Sequence, residues 1–176
     1  MEKLALDANK FSSLPPEIGK LQTLRELWLD DNRSLVELPE EFWNLTALTR
    51  LMMDNMALTT LSPGIGRLTE LTFLGIARNR LTSIPPEIGR LTKLKTLYLY
   101  KNQLTHLPPE IGNLGNLESL SLSGNKITHL PVELGRLRNL KELNLDGNPL
   151  VFPPAELAKD GCEAVLAFLR ERDTRA

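Results

Sequence analysis

A repeat of 23 residues runs through most of this chain and constrains its fold more than any other feature. It is clearest in residues 71–93 and 94–116, which share the frame L-x-x-L-x-L-x-x-N-x-L-x-x-L-P-P-E-I-G. The repeat units begin at Met1, Leu24, Leu48, Leu71, Leu94, Leu117 and Leu140, and the second unit has one extra residue. Repetition at this period predicts a solenoid in which each coil packs only against its neighbours.

The first half of each unit alternates leucine with variable residues. In the fifth unit, Leu97 and Leu99 are predicted to point inward while the residues beside them point outward, as in a strand. A single coil cannot bury its own leucines, which fill 38 of the 176 positions, so the coils must stack and share one core. We therefore expect an α/β solenoid with one short strand per unit, the strands being parallel and about 4.8 Å apart.

The second half of each unit returns the chain along the opposite side of the core. Proline pairs such as Pro85-Pro86 hold this segment extended or start a tight turn, and a glycine such as Gly89 ends it. The pattern predicts extended or 3-10 return segments rather than long helices. A column of asparagines where the chain leaves each strand is expected to bind backbone groups of its own and the neighbouring coil: Asn9, Asn32, Asn79, Asn102, Asn125 and Asn148.

The unit at residues 48–70 departs most from the frame. Met56 replaces the asparagine, and Ser62 stands where a proline is expected. In the preceding unit Trp43 replaces the glycine of the return segment. We predict that the coil at 48–70 is the softest of the array, and that the amide protons of residues 51–56 exchange faster than those of residues 97–102.

These repeats resemble the leucine-rich repeat family. The L-P-P-E-I-G segment is similar to the subclass found in plant intracellular Ras-group proteins, animal Ras-pathway scaffolds and Roco GTPases, and the resemblance extends from residue 1 to about residue 170. It implies a leucine-rich-repeat solenoid with parallel strands on the concave face and the return segments on the convex face. It also implies signalling partners such as small GTPases or phosphatases.

The two ends of the array are predicted to differ. Residues 1–152 are assigned to the repeats and residues 153–173 to a C-terminal cap. Cys162, Val165, Leu166 and Leu169 recur at helical spacing, which predicts a cap helix over residues 162–172 that covers the core. Met1 already occupies a leucine position, so no N-terminal cap is expected. That edge is expected to continue a longer spiral or to meet a partner, which leaves a monomer or weak self-association.

Charge and composition exclude several classes of partner. The chain has 21 Lys and Arg against 22 Asp and Glu, a balance too even to attract nucleic acid or an anionic membrane. It shows no apolar run long enough to span a bilayer and no signal-peptide core. The single cysteine, Cys162, cannot form an internal disulfide, which favours a cytoplasmic location.

The sequence lacks the motifs of the common enzyme classes, such as a phosphate-binding G-x-G-x-x-G loop or a G-x-S-x-G nucleophile turn. His106 and His129 lie one unit apart but have no third metal ligand nearby, so they are interpreted as part of a polar edge. We therefore predict that the chain is not an enzyme and uses no catalytic residue, cofactor or metal ion.

Function is expected in the outward-pointing residues of the strands, because the leucines are committed to the core. Four of the nine aromatic residues occur at these positions: Trp28, Phe73, Tyr98 and Tyr100. Met52 occupies a further outward position between them. Large apolar side chains with a polar tip are typical anchors of protein interfaces. The other interpretation is that these rings only pack on neighbouring strands. Gly75 is expected to leave a notch among them that admits a side chain of the partner.

Aspartates form the next column along the strands. Asp7, Asp30 and Asp54 are expected to stack and repel one another, so a basic partner would relieve their repulsion. The other interpretation is a solvated acidic edge whose charge is offset by nearby arginines: Arg25, Arg33 and Arg50. The serines at the C-terminal end of the face, such as Ser119 and Ser121, are predicted to form its rim.

Together these patterns predict a non-catalytic protein–protein interaction module, with the role of a signalling scaffold. Its concave face is expected to bind a partner protein through seven residues: Trp28, Met52, Phe73, Tyr98, Tyr100, Asp30 and Asp54. The alternative is that the chain is the recognition domain of a larger signalling enzyme, a Roco-type GTPase or an effector ligase, whose chemistry lies outside these residues.

Overall fold

Each repeat unit contributes one three-residue strand to a single parallel sheet. In the computed structural model, which describes residues 1–173, the sheet has seven strands in sequential order. They are β1 (Lys3–Ala5), β2 (Glu26–Trp28), β3 (Arg50–Met52), β4 (Phe73–Gly75), β5 (Thr96–Tyr98), β6 (Ser119–Ser121) and β7 (Glu142–Asn144). Sequential order follows from the repeat, because each coil places its strand one spacing beyond the last.

The register of the sheet agrees with the repeat frame. Leu27 pairs with Leu51, and Trp28 pairs with Met52 on the opposite face of the same two strands. The inward leucines are almost completely excluded from solvent and form one continuous core along the array. The predicted solenoid with parallel strands is therefore confirmed.

The return segments are 3-10 helices, also as predicted. They span Pro16–Lys20, Glu40–Asn44, Pro63–Arg67, Pro86–Arg90, Pro109–Asn113 and Val132–Arg136. In the fourth of these, Pro85 is extended and Pro86 begins the turn, where its fixed φ is compatible with a helical start. Glycine is needed at the fourth position because the coils approach closely: a Cβ on Gly89 would lie 2.6 Å from the carbonyl oxygen of Glu110.

Buried asparagine side chains tie neighbouring coils together where the chain leaves the strands. The Nδ2 of Asn102 donates to the carbonyls of Ile76 and Leu99 at 2.9 and 3.0 Å, and its Oδ1 accepts from the amide of Leu81 at 3.0 Å. Asn32, Asn79 and Asn125 bind equivalent groups. Each of these amides thus satisfies backbone groups of two coils, as the sequence predicts, whereas the exposed Asn9 donates only to carbonyls of its own coil.

In the third coil, where Met56 replaces the asparagine, the backbone groups that the asparagine would bind have other partners. The extra residue of the second unit lets the amide of Leu35 bind the carbonyl of Asn32 at 2.9 Å, so Leu35 needs no side-chain acceptor from position 56. An asparagine at position 56 would donate to the carbonyls of Leu29 and Met53. These carbonyls already accept hydrogen bonds from the side chains of Asn32 and Asn79. Met56 is buried there as an apolar core residue.

Two helices close the C-terminal end: α1 (Ala155–Lys159) and α2 (Cys162–Arg170). The predicted cap helix is confirmed as α2, which ends two residues earlier than expected and buries Val165, Leu166 and Leu169 on the core. The short helix α1 was not predicted from the sequence. Arg136 holds the end of the cap, because its Nη2 donates to the buried carboxylate of Asp173 at 2.9 Å.

At the other end of the sheet, β1 has a neighbour on one side only. Its Leu4 and the following Leu6 are partly exposed, and Met1 is 64% exposed. The predicted weak self-association through this edge stays a prediction. Within residues 1–173 no helix has the length and apolar character needed to cross a bilayer.

Candidate functional site

The outward residues of the seven strands form the concave face, in three columns that run across the coils. The middle column passes from Ala5 through Trp28, Met52, Gly75 and Tyr98 to Ser121 and Asn144. The first column contains Phe73, and the column two residues beyond the middle one contains Asp30, Asp54 and Tyr100. All seven residues predicted for the site therefore lie on this face, although on different strands.

Three aromatic rings pack together near its centre. The Phe73 and Tyr98 centroids are 5.4 Å apart and those of Tyr98 and Tyr100 are 6.2 Å apart, both edge to face. The guanidinium of Arg50 lies 4.0 Å from the centroid of Phe73, and that of Arg78 lies 5.7 Å from Tyr100. These contacts fix the rings while leaving them partly exposed, so packing and binding roles are compatible here.

The predicted notch at Gly75 is not open. A Cβ at Gly75 would lie 3.0 Å from the Oδ1 of Asp54 and 3.4 Å from the Phe73 ring, so these two side chains already occupy the space. The expectation that Gly75 admits a side chain of a partner was therefore wrong. The Phe73 ring lies beside Gly75, next to Met52 in the middle column, and so extends the apolar surface formed by Trp28 and Met52.

The aspartates are bound into the backbone of the next coil. The Oδ1 of Asp30 accepts from the amide of Asp54, and the Oδ1 of Asp54 accepts from the amide of Ala77, both at 2.7 Å. Burial raises the pKa of Asp54 to about 6, with repulsion from Asp30 adding to the effect and the Ala77 amide opposing it. Burial also raises the pKa of Asp30, and Asp7 and Asp31 raise it further. These carboxylates are thus costly to keep charged.

Within the part of the chain that the structure describes, the arginines expected to offset this charge form no direct ion pair with Asp30 or Asp54. Arg25 pairs with Glu2 at 3.8 Å, Arg33 pairs with Asp31 at 3.6 Å, and Arg50 lies over Phe73. Among residues 1–173, no ion pair involves Asp30 or Asp54. These two carboxylates are therefore not neutralised by a direct ion pair, and a solvated acidic edge with arginines nearby stays an alternative interpretation.

The C-terminal end of the face, where the sequence predicts a rim of small serines, borders a pocket of about 570 Å³. Tyr98 and Tyr100 line one part of it, and Ala158 and Cys162 of the cap line another. The remaining lining comes from β6, β7 and the residues on either side of β7: Ser119, Leu120, Ser121, Lys141, Glu142, Leu143, Asn144, Leu145 and Asp146. The repeat pattern does not predict this pocket, because the cap residues that line it lie outside the repeat units.

Within the described residues there is no group of three or more histidine, cysteine, aspartate or glutamate side chains suited to a metal ion. The Nδ1 atoms of His106 and His129 lie 3.0 Å from the hydroxyls of Thr105 and Thr128. Both histidines are exposed and are oriented by these threonines.

Comparison with known proteins places these features in a family context. A family model described as a leucine-rich repeat region matches residues 2–100 and 85–155. A leucine-rich repeat protein of Leptospira interrogans is 35% identical, with a TM-score of 0.69 over 89% of this chain and 51% of that one. None of the curated proteins matches the chain significantly.

Two plant structures are also similar. One is the ectodomain of the membrane receptor kinase GASSHO1/SCHENGEN3 from Arabidopsis thaliana, in complex with CASPARIAN STRIP INTEGRITY FACTOR 2. It is 34% identical, with a TM-score of 0.76 over 88% of this chain and 19% of that one. The other is a plant ice-binding protein, 28% identical, with a TM-score of 0.72 over 84% of this chain and 57% of that one. The chain thus spans about half of the Leptospira protein and a smaller part of the receptor ectodomain.

Proposed function

Because the chain belongs to the leucine-rich repeat family, we propose that it is a non-catalytic module that binds a partner protein on its concave face. The observation that carries this proposal is the partly exposed apolar surface formed by Trp28, Met52, Phe73, Tyr98 and Tyr100. It crosses four neighbouring strands, so a partner that covers it buries a continuous apolar area. Ordered aromatic side chains lose little entropy on binding, which favours them as anchors.

The similar structures support a binding role without specifying the ligand. The Arabidopsis ectodomain was crystallised in complex with CASPARIAN STRIP INTEGRITY FACTOR 2, whereas the other plant neighbour is an ice-binding protein. The same fold therefore carries different functions, and the ligand of this chain must be argued from its own face. The aromatic surface and the half-buried Asp30 and Asp54 favour a protein with apolar and basic side chains.

The finer parts of the proposal come from the resemblance of the return segments to the Ras-group, Ras-pathway scaffold and Roco subclass. They are a role as a signalling scaffold in the cytoplasm and a small GTPase or phosphatase as the partner. The alternative is the recognition domain of a larger signalling enzyme. The chain covers 51% and 19% of two similar structures, which is compatible with a part of a longer protein.

The proposal is tested by affinity capture from lysate with the wild-type chain and a Trp28→Ser, Tyr98→Ser, Tyr100→Ser variant. The matched control is Val36→Ser, Val151→Ser, which removes two side chains that are 51% and 65% exposed but lie off the concave face. Circular dichroism first establishes that both variants are folded. A partner that is lost by the triple variant and kept by the control supports the proposal, whereas equal capture by all three proteins contradicts it.

A further inference from the structure

The pocket at the C-terminal end of the concave face combines aromatic, acidic and small side chains in one cavity of about 570 Å³. Resting on the proposed protein-binding function, we propose that this pocket receives an arginine side chain carried by an extended segment of the partner protein. Tyr98 and Tyr100 provide the aromatic surface, and Glu142 and Asp146 provide the carboxylates.

The carboxylates of the pocket are available to a cation from outside the chain. Among the described residues, no ion pair joins Glu142 or Asp146 to a basic side chain. Lys141 also lines the pocket, but it is bound to Glu118 at 2.9 Å. The Ser119 hydroxyl donates to the Oε2 of Glu142 at 2.8 Å, which orients that carboxylate over β6.

Arginine fits this combination better than lysine. Its planar guanidinium can stack flat on a tyrosine ring while its rigid fork of N–H groups donates two parallel hydrogen bonds to a carboxylate, whereas the ammonium of lysine is a compact, strongly hydrated point charge. The chain itself places guanidinium groups on aromatic rings of the same face, where Arg50 lies 4.0 Å from the Phe73 centroid and Arg78 lies 5.7 Å from that of Tyr100.

The charge of the whole face favours the same occupant. Its three columns contain two cations, Lys3 and Arg50, although the chain as a whole has a net charge of only −1. They contain six carboxylates: Asp7, Glu26, Asp30, Asp54, Glu142 and Asp146. Four strand spacings separate β3 from β7, about 19 Å or roughly six residues of extended chain. One basic segment can therefore fill the pocket and reach Asp54.

The test uses a phage library of random peptides, each about twelve residues long, so that an extended chain can cross the face. Peptides enriched on the wild-type protein are synthesised with arginine and with citrulline, an uncharged analogue of similar shape. We expect a shared arginine among the enriched peptides and a loss of affinity of about tenfold or more with citrulline. Glu142→Gln, Asp146→Asn should weaken the arginine peptides similarly.

The matched control is Glu156→Gln, Asp160→Asn, which removes two charges from the cap outside the pocket and should bind as the wild type does. Bound peptide should also slow maleimide labelling of Cys162, the only cysteine of the chain and part of the pocket lining. Together these readouts assign the arginine to this pocket rather than to the general charge of the protein.

Several outcomes separate this inference from the proposed function. Enriched peptides without arginine, or arginine peptides indifferent to Glu142→Gln, Asp146→Asn, overturn the pocket assignment alone. A library that yields no binder also overturns only that assignment, because a folded partner can cover the face without an extended segment. Peptides that bind the Trp28→Ser, Tyr98→Ser, Tyr100→Ser variant as tightly as the wild type contradict the proposed function as well.

Discussion

Trp43 packs directly on Gly64 of the following coil, and a Cβ at Gly64 would lie within 3 Å of the indole. At the other contacts between return segments the glycine belongs to the earlier coil and faces a glutamate, as Gly89 faces Glu110. Between the second and third coils the order is reversed: the earlier coil contributes the large residue, Trp43, and the later coil contributes the glycine, Gly64. The indole is 1% exposed, so this exchange keeps the contact buried.

A double-mutant cycle tests this exchange. Gly64→Glu should destabilise the protein by about 1–3 kcal/mol through overpacking, and Trp43→Gly by about 3–5 kcal/mol through the cavity it leaves. The double variant restores the glycine–glutamate contact of the other coils and should recover at least about 2 kcal/mol relative to the sum of the single changes. Urea unfolding provides the three free energies. Additive losses would show that the two residues are not coupled.

Substitutions at two equivalent positions of the asparagine column should affect the free energy of unfolding differently. Asn102→Met leaves the buried amide of Leu81 without its acceptor, although the carbonyls of Ile76 and Leu99 still accept from neighbouring asparagines, and should cost about 1–3 kcal/mol. Met56→Asn should bring no gain, because the groups that it would bind already have partners. Urea unfolding of the two variants checks this. Stabilisation by Met56→Asn would refute this account of the third coil.

Amide exchange provides a separate test of the same coil. The backbone amide protons of residues 51–56 should exchange faster than those of residues 97–102. The reason is that the third coil lacks the buried asparagine side chain that, as Asn102 does in the fifth coil, links the end of a strand to the previous coil. Hydrogen–deuterium exchange followed by NMR measures both sets in one sample. Equal protection of the two segments would remove the prediction.

The pKa of Asp54 predicts a stability that falls as the pH rises. Its ordinary pKa is 3.8 and its pKa in the fold is about 6, so between these values the folded state binds a proton that the unfolded chain has released. The contribution of Asp54 to stability therefore grows as the pH falls through 6 towards 4, and is lost above 6. Asp30, Asp31 and Arg78 are the charged groups that act on it.

Asp54→Asn should therefore stabilise the protein by about 1 kcal/mol near pH 8, a value reduced for partial solvent screening, with little effect near pH 4. Asparagine can still accept the hydrogen bond from the Ala77 amide, so the backbone contact is kept. Thermal unfolding at the two pH values measures the difference. The control is Asp7→Asn, an exposed residue of the same column. Equal effects of Asp54→Asn at both pH values would contradict the prediction.

The repeat frame predicted the elements that depend on local period, such as the pairing of Leu27 with Leu51 and the burial of Val165 on α2. It missed relationships that join different coils at an offset. Trp43 meets Gly64, and Asp54 occupies the space over Gly75, because each side chain reaches a neighbour that the frame alone does not pair. The pocket was missed for a similar reason, since Cys162 of the cap and Tyr98 come to line the same pocket only in the folded chain.

The most direct test of the account is the dissociation constant of the captured partner for Trp28→Ala and Tyr98→Ala, with Val151→Ala as the control off the concave face. If these residues anchor the interface, each concave variant should lose about 2 kcal/mol or more of binding free energy, roughly thirtyfold in affinity. The control should bind as the wild type does. Dissociation constants that are unchanged in both concave variants, with their folding confirmed, would contradict the claim that this face binds the partner.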